Sequence, residues 1–214
     1  MSTTIDGRRA RGDASRRLIL GTATDLASVD GLDGLTIGRL AESSGVSKSS
    51  IATLFGSKEG LQLAAVEAAA AIFQASIVEP ARELPRGVRR LATLLRRSLD
   101  YSRMRTFSGG CFFAASAADM DSKPGPVRDA VRAQLRQWYG YVEAQVRHAA
   151  AAGEIDADDA TVRRLAFELI ALSNEANARS LLTGEEFPYD LAMAGMRERL
   201  IAAGADPAEL DALR

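Results

Sequence analysis

The sequence predicts an all-α protein with a small three-helix head at its N-terminus and a larger helical bundle behind it. Apolar residues recur three and four apart along the chain, and no stretch alternates with the period of two that a strand needs. Between residues 28 and 58, glycine, serine and threonine bound two short apolar-periodic segments at the positions where helices stop and start. Beyond Pro80 the periodic segments lengthen, with no internal repeat and no linker rich in Pro, Gly or Ser.

The first helix is expected over about 14–28, with Ile19, Ala23, Leu26 and Ala27 on one face; Gly31 and Gly34 then break it. Thr36 caps a second, short helix with Ile37, Leu40 and Ala41 inward, and Gly45 stops it. Ser47 caps a third with Ile51, Leu54 and Phe55 inward, and Gly56 stops that one. Ser57 caps a fourth helix running towards Val78. Further helices are expected over 86–104, 111–119, 126–152, 159–182 and 188–203, separated by "TFSGG", "DSKPGP", "AAGEIDADD" and "TGEEFPY".

At 214 residues and 47% hydrophobic content the chain can bury a substantial core. No run of about 18 uncharged apolar residues is present, so no membrane partner is expected. The first residues do not read as a secretory signal, and a single cysteine excludes an internal disulfide; both fit a cytoplasmic location. The net charge of −1 is unevenly spread. Residues 8–17 carry five arginines against Asp13, and residues 80–105 carry eight against Glu83 and Asp100. Thirteen acids and six arginines follow from residue 150. A basic N-terminal half suits an anionic partner, although arginine-rich faces are often merely solvated.

The second and third helices with Gly45 between them make a helix-turn-helix. Such a unit places Lys48, Ser49 and Thr53 on an outer face, where short polar side chains allow close approach to DNA. On spacing alone an ordinary pair of core helices explains the pattern equally well. The residues "GLTIGRLAESSGVSKSSIATLFGSKEGL", Gly34 to Leu61, resemble the N-terminal DNA-binding signature of TetR-family transcriptional regulators. The likeness covers about 45 residues once the first helix is included, while "GGCFFAASAADMDSKPGPVRD" resembles a segment of one subgroup. The resemblance implies a head over 1–56, with a flexible basic arm at about 1–12, and a ligand-binding and dimerisation domain over 57–214. It implies a homodimeric repressor that a small apolar effector releases from double-stranded operator DNA. Expected DNA contacts are Thr36, Ser47, Lys48, Ser49, Ser50, Thr53 and Lys58. The family's aromatic phosphate anchors are replaced here by Ala52, Thr53 and Leu54. Arg8, Arg9 and Arg11 are therefore expected to supplement them along the backbone or in the minor groove.

Aromatic residues concentrate in the central helices. Tyr101, Phe107, Phe112, Phe113, Trp138, Tyr141 and Phe167, with Tyr139 beside them and Asn174 and Asn177 as polar additions, are candidates to line a ligand pocket, core filling being the alternative. Leu165, Leu169, Leu172, Ala176, Leu191 and Ala194 are the expected dimer face. One histidine, His148, and one cysteine, Cys111, make no metal set, and no cofactor is expected. "GSKEG" lacks the strand and spacing of a phosphate loop, and no nucleophile elbow or catalytic set is present. The rival readings are an all-α carrier or enzyme, or a helical scaffold that has lost DNA binding.

Overall fold

A computed structural model describes residues 3–214, with the side chains of residues 3–14 outside the described set. The described residues form ten α-helices and no strand. They are α1 (Thr3–Gly34), α2 (Ile37–Ser44), α3 (Lys48–Phe55), α4 (Lys58–Phe73), α5 (Glu79–Arg82), α6 (Val88–Arg103), α7 (Phe112–Met120), α8 (Pro126–Ala151), α9 (Asp159–Thr183) and α10 (Phe187–Ala202). A π-helical turn, Gln74–Val78, joins α4 to α5, and a 3-10 turn, Pro207–Leu213, closes the chain.

Most boundaries fall within two residues of those the caps and breakers indicate. The exceptions are informative. α1 starts at Thr3, not near Ala14, and takes in the arginine-rich stretch expected as a loose arm; arginine and alanine are good helix formers. Its helical geometry breaks at Gly31, with φ 74° and ψ 168°, one of the two glycines expected to do so. The terminal 3-10 turn has no counterpart in the expectation. Asp206 caps it through Ala208 N at 2.9 Å, and Leu210 and Leu213 are buried.

Two compact units emerge: residues up to Ala71 with Phe107–Arg132, and Ile72–Thr106 with Ala133–Arg214. In the first, α1 packs on α2 and α7, and α2 on α3, around Ile19, Ala23, Leu32, Leu40, Ile51 and Phe112. Hydrogen bonds fasten α1 to the segment before α7. Asp25 accepts from Ser108 N and Oγ at 2.7 and 2.9 Å, and Ser28 Oγ accepts from Gly109 N at 3.0 Å. In the second unit α6 packs on α9, α10 and the 3-10 turn, and α9 on α10, around Leu95, Leu99, Leu165, Leu169, Met196 and Leu210.

Lys58–Arg82 contains an 18-residue window with mean hydropathy 1.6, long and apolar enough to cross a membrane by length and composition. Glu67, together with the polar Gln62, Gln74 and Ser76, keeps it from being a run of 18 uncharged apolar residues. Of that window 44% is buried inside the fold.

Candidate nucleic-acid interface

The helix-turn-helix is built from its caps. Thr36 Oγ1 accepts from Arg39 N at 3.1 Å and opens α2. Gly45, at φ 68° and ψ 7°, ends it in the left-handed conformation, with its N–H donated to Ala41 O at 3.1 Å. Ser47 Oγ accepts from Ser50 N at 3.1 Å and lies 3.0 Å from Ser49 Oγ and 2.8 Å from Ser50 Oγ, so three hydroxyls gather at the start of α3. Ile51 and Phe55 are buried beneath, while Lys48, Ser49, Ser50 and Thr53 are exposed together. Leu54 does not point inward as expected. It is 39% exposed, because the residue next to Phe55 on a helix lies about 100° round from it.

Thr53, the one hydrogen-bonding residue among the three replaced anchors, donates its hydroxyl to Ser49 O at 2.8 Å. Contact with a phosphate oxygen requires that hydroxyl to rotate away from the helix. At the next junction Ser57 Oγ accepts from Gly60 N at 3.0 Å and caps α4. A Cβ on Gly60 would overlap the carbonyl oxygen of Phe55, so only glycine allows α4 to start this close to the end of α3.

The charges are distributed less simply than the sequence implies. Lys58 Nζ is 2.9 Å from Asp33, which Lys123 also approaches at 3.2 Å; Lys123 is 2.6 Å from Asp119. Lys58 first and Lys123 second, through hydrogen bonds, hold the Asp33 carboxyl below its ordinary value, and Asp119 raises the Lys123 ammonium. Arg39 pairs with Asp30 at 2.6 Å. Lys48 pairs with no carboxylate among the described residues, and its side chain passes over Gly38. Arg16, which no sequence motif singles out, lies 5.2 Å from the centre of the Phe55 ring. These ion pairs link positions up to 90 residues apart, which no local pattern reveals. The side chains of Arg8, Arg9 and Arg11 lie outside the described residues.

The aromatic candidates do not form one group. Phe107, Phe112 and Phe113 are buried in the first unit, with ring centres 5.9 and 5.2 Å apart in succession. Tyr101 and Trp138 belong to the second unit, where each meets Phe73 edge-on at 5.5 and 5.0 Å. Phe73, at the end of the fourth helix, carries no local signal of this role because its partners lie on two later helices. Tyr141 carries Arg82 over its ring at 5.6 Å. Phe167 and Asn174 instead line an open groove of about 670 Å³ on α8 and α9 with Tyr139, Ile170, Ala171 and Ala178. Asn177 is buried. The Cys111 thiol is pushed up by burial, which suits a small apolar filler. Half-buried His148 belongs to no group of three or more possible metal ligands among the described residues.

The expected dimer face needs correction. Leu165, Leu169 and Ala176 are buried within their own unit and offer no surface; Leu172 is half-buried beside Gly195. Helix α9 is apolar on two sides, so periodicity alone could not tell which one turns inward. The exposed stripe is Phe167 (73%), Ala171, Ala178 and Leu182 (88%), and on α10 Leu191 and Ala194 are exposed as expected.

Residues 19–65 match the family profile described as "Bacterial regulatory proteins, tetR family", and residues 87–196 match "Tetracyclin repressor-like, C-terminal domain". Among solved structures, a TetR transcriptional regulator from Chloroflexus aurantiacus J-10-FL is 25% identical, with a TM-score of 0.74 over 87% of this chain and 94% of that one. A TetR-family regulator from Streptomyces coelicolor is 21% identical, with a TM-score of 0.76 over 95% and 96%. AibR, solved in complex with isovaleryl coenzyme A and operator DNA, shares the fold at 18% identity and a TM-score of 0.65 over 77% and 86%. No curated protein is significantly similar in sequence.

Proposed function

Because the chain belongs to the TetR family of transcriptional regulators, we propose that it is a repressor that binds a pseudo-palindromic operator as a homodimer until a small, mainly apolar ligand releases it. The observation that carries the DNA-binding part is the outer surface of α3. Its lysine, hydroxyls and helix start face solvent together, while Ile51 and Phe55 hold the helix from beneath.

In this reading residues 1–56 form the DNA-binding head and residues 57–214 serve ligand binding and dimerisation. Lys48, Ser49 and Ser50 reach base edges or phosphates from α3. Thr36, Ser47 and the start of α4 at Lys58 offer N–H groups and hydroxyls to the flanking phosphates, where the helix dipole favours negative charge. Thr53 joins after its hydroxyl rotates, and Arg8, Arg9 and Arg11 extend the interface. The ligand lies against Tyr101, Trp138 and Tyr141, with Phe73 added to the set. The two-fold interface uses Phe167, Leu182, Leu191 and Ala194. AibR supports the coupling of ligand and operator in this fold, since it holds both. Within the first unit α7 is tied to α1, because Ser108 and Gly109 before it are hydrogen-bonded to Asp25 and Ser28, and Asp119 within it accepts from Asp33 N at 2.8 Å. The protein acts in the cytoplasm, as a regulator and not an enzyme.

Fluorescence anisotropy with the DNA upstream of its own gene tests the reading. A dimer making roughly 6–10 phosphate contacts loses about 10³–10⁵ in affinity between 50 and 200 mM salt. A monomer in sedimentation that selects no sequence from genomic DNA would refute it.

A further inference from the structure

Helix α3 carries one charge of its own, that of Lys48 in its first turn. Successive residues of a helix lie about 100° apart, so Lys48, seven positions before Phe55, is only about 20° round from it. It is exposed, yet it lies on the line of the stripe that Ile51 and Phe55 bury, at the open end of that line. Ser49, Ser50 and Thr53 span about 100° on the side opposite Phe55. The lysine side chain runs back over α2. A Cβ on Gly38 would stand 3.7 Å from Lys48 Cε and 3.8 Å from its Nζ, with Thr36 Oγ1 3.9 Å from the same point. Because position 38 has no side chain, the ammonium rests close to the residue that caps α2.

The other end of α3 has no charge within it: Ala52 and Leu54 are apolar, and the Thr53 hydroxyl is donated to Ser49 O. A cation reaches that end from α1. The half-buried Arg16 holds its guanidinium 5.2 Å from the centre of the Phe55 ring. Stacking occupies the face of a guanidinium and leaves the N–H groups at its edge for the oxygens of an anion. Neither Lys48 nor Arg16 pairs with a carboxylate among the described residues, whereas Arg39 is held by Asp30 and Lys58 by Asp33. Two packed cations thus bracket a helix face that holds only hydroxyls.

We propose that Lys48 and Arg16 hold DNA phosphates at the two ends of α3, and that base reading from this helix falls to the hydroxyls of Ser49, Ser50 and Thr53. Phosphate contacts supply affinity and register without sequence information, which base-edge contacts carry. A lysine or arginine reads guanine by extending across the major groove to O6 and N7. Lys48 extends the other way, along α2, and Arg16 is fixed by the ring beneath it. A hydroxyl both donates and accepts, so the three that remain can meet either kind of base edge. The assignment deepens the operator reading above and rests on it.

Full-length protein is used to select duplexes from a random double-stranded library, and anisotropy on the recovered consensus follows between about 50 and 200 mM salt. Lys48→Ala and Arg16→Gln each recover the wild-type consensus and weaken every duplex alike. Each lowers the log–log salt slope by about 0.9 per half-site, about 1.8 for a dimer. Ser49→Ala changes the consensus and leaves the slope. Arg16→Lys keeps the charge without the stacking face and so keeps the slope at reduced affinity, which a residue that merely supported Phe55 would not distinguish from Arg16→Gln. Should Arg16→Gln fail to fold, Arg16→Met, which still covers the ring, makes the same comparison. The proposal is overturned if Lys48→Ala relaxes the preference at any base position, or if the slope is unchanged in either charge-removing variant. A consensus with unchanged slopes overturns this assignment alone, whereas a wild-type protein that selects no consensus overturns the operator reading with it.

Discussion

Two glycines, one inside the helix-turn-helix and one just after it, both resist alanine, for different physical reasons. A helix-propensity argument favours Gly60→Ala, since glycine within a helix costs about 0.5–1 kcal/mol relative to alanine. The structure reverses the sign. The new Cβ would overlap the carbonyl oxygen of Phe55, an oxygen that also accepts from Ser57 N at 2.9 Å, and it would lie 3.4 Å from Ser57 Oγ. Neither backbone can yield alone, so α3 and the start of α4 must separate by roughly 1 Å, at the upper end of overpacking costs of about 1–3 kcal/mol. After the favourable propensity change, about 2 kcal/mol of destabilisation remains, or about 4–8 °C in Tm for a chain of this length. Gly45→Ala meets no atom within 4 Å. Its cost is the left-handed backbone alone, about 1–2 kcal/mol, partly offset by a stiffer unfolded chain, and about 1 kcal/mol survives. Circular-dichroism melting is the assay, because Trp138 lies in the other unit and its fluorescence reports on that one. Operator affinity by anisotropy follows, and Gly60→Ala loses at least about tenfold as the recognition helix shifts. A Tm for Gly60→Ala equal to or above wild type refutes the reasoning.

Asp33→Asn removes the carboxylate that pairs with Lys58, Lys123 keeping Asp119 at 2.6 Å, so operator affinity rises and the log–log salt slope steepens by about 0.9 for the additional phosphate neutralised; an unchanged slope shows that Lys58 does not reach DNA. Asp33 titrates below its ordinary value of 3.8 when folded, so its contribution to stability is present above that pH and lost as pH falls through the folded value. Asp33→Asn accordingly flattens the acid limb of the stability profile, read by melting below pH 3.8. Arg105 is the one non-glycine residue with positive φ among the described residues, at 51°, so Arg105→Gly raises Tm by about 2–4 °C, the equivalent of about 1 kcal/mol, by relaxing the backbone; a fall shows that its hydrogen bond to Ser180 outweighs the strain. Phe167→Asp and Leu182→Asp convert the proposed dimer to monomer in sedimentation, whereas a dimer surviving both places the interface elsewhere. Deleting residues 1–11 lowers the salt slope by about 0.9 for each phosphate no longer neutralised, and an unchanged slope and affinity show the arginines there to be idle.

Much of the head was determined by the sequence itself. Thr36, Gly45 and Ser47 each act on the residues within four positions of them, through a cap hydrogen bond or a backbone angle, so their effect is written locally. The same holds for the longer helices, whose ends carry their own punctuation, and for the outward set Lys48, Ser49 and Thr53. Tertiary structure decided whatever depends on partners distant in the chain. Leu165 and Phe167 are both apolar residues of one helix, and only the packing of α10 and α6 on one side selects which is buried. Lys58 reads as a free cation until Asp33 is brought to it by the fold. Arg105 reads as one more surface arginine; its hydrogen bond to Ser180 at 3.1 Å exists only because the fold brings α9 to it. Periodicity records that a face is apolar and capping records where a helix begins, but the identity of the neighbour across a helix pair is fixed by chain segments tens of residues away.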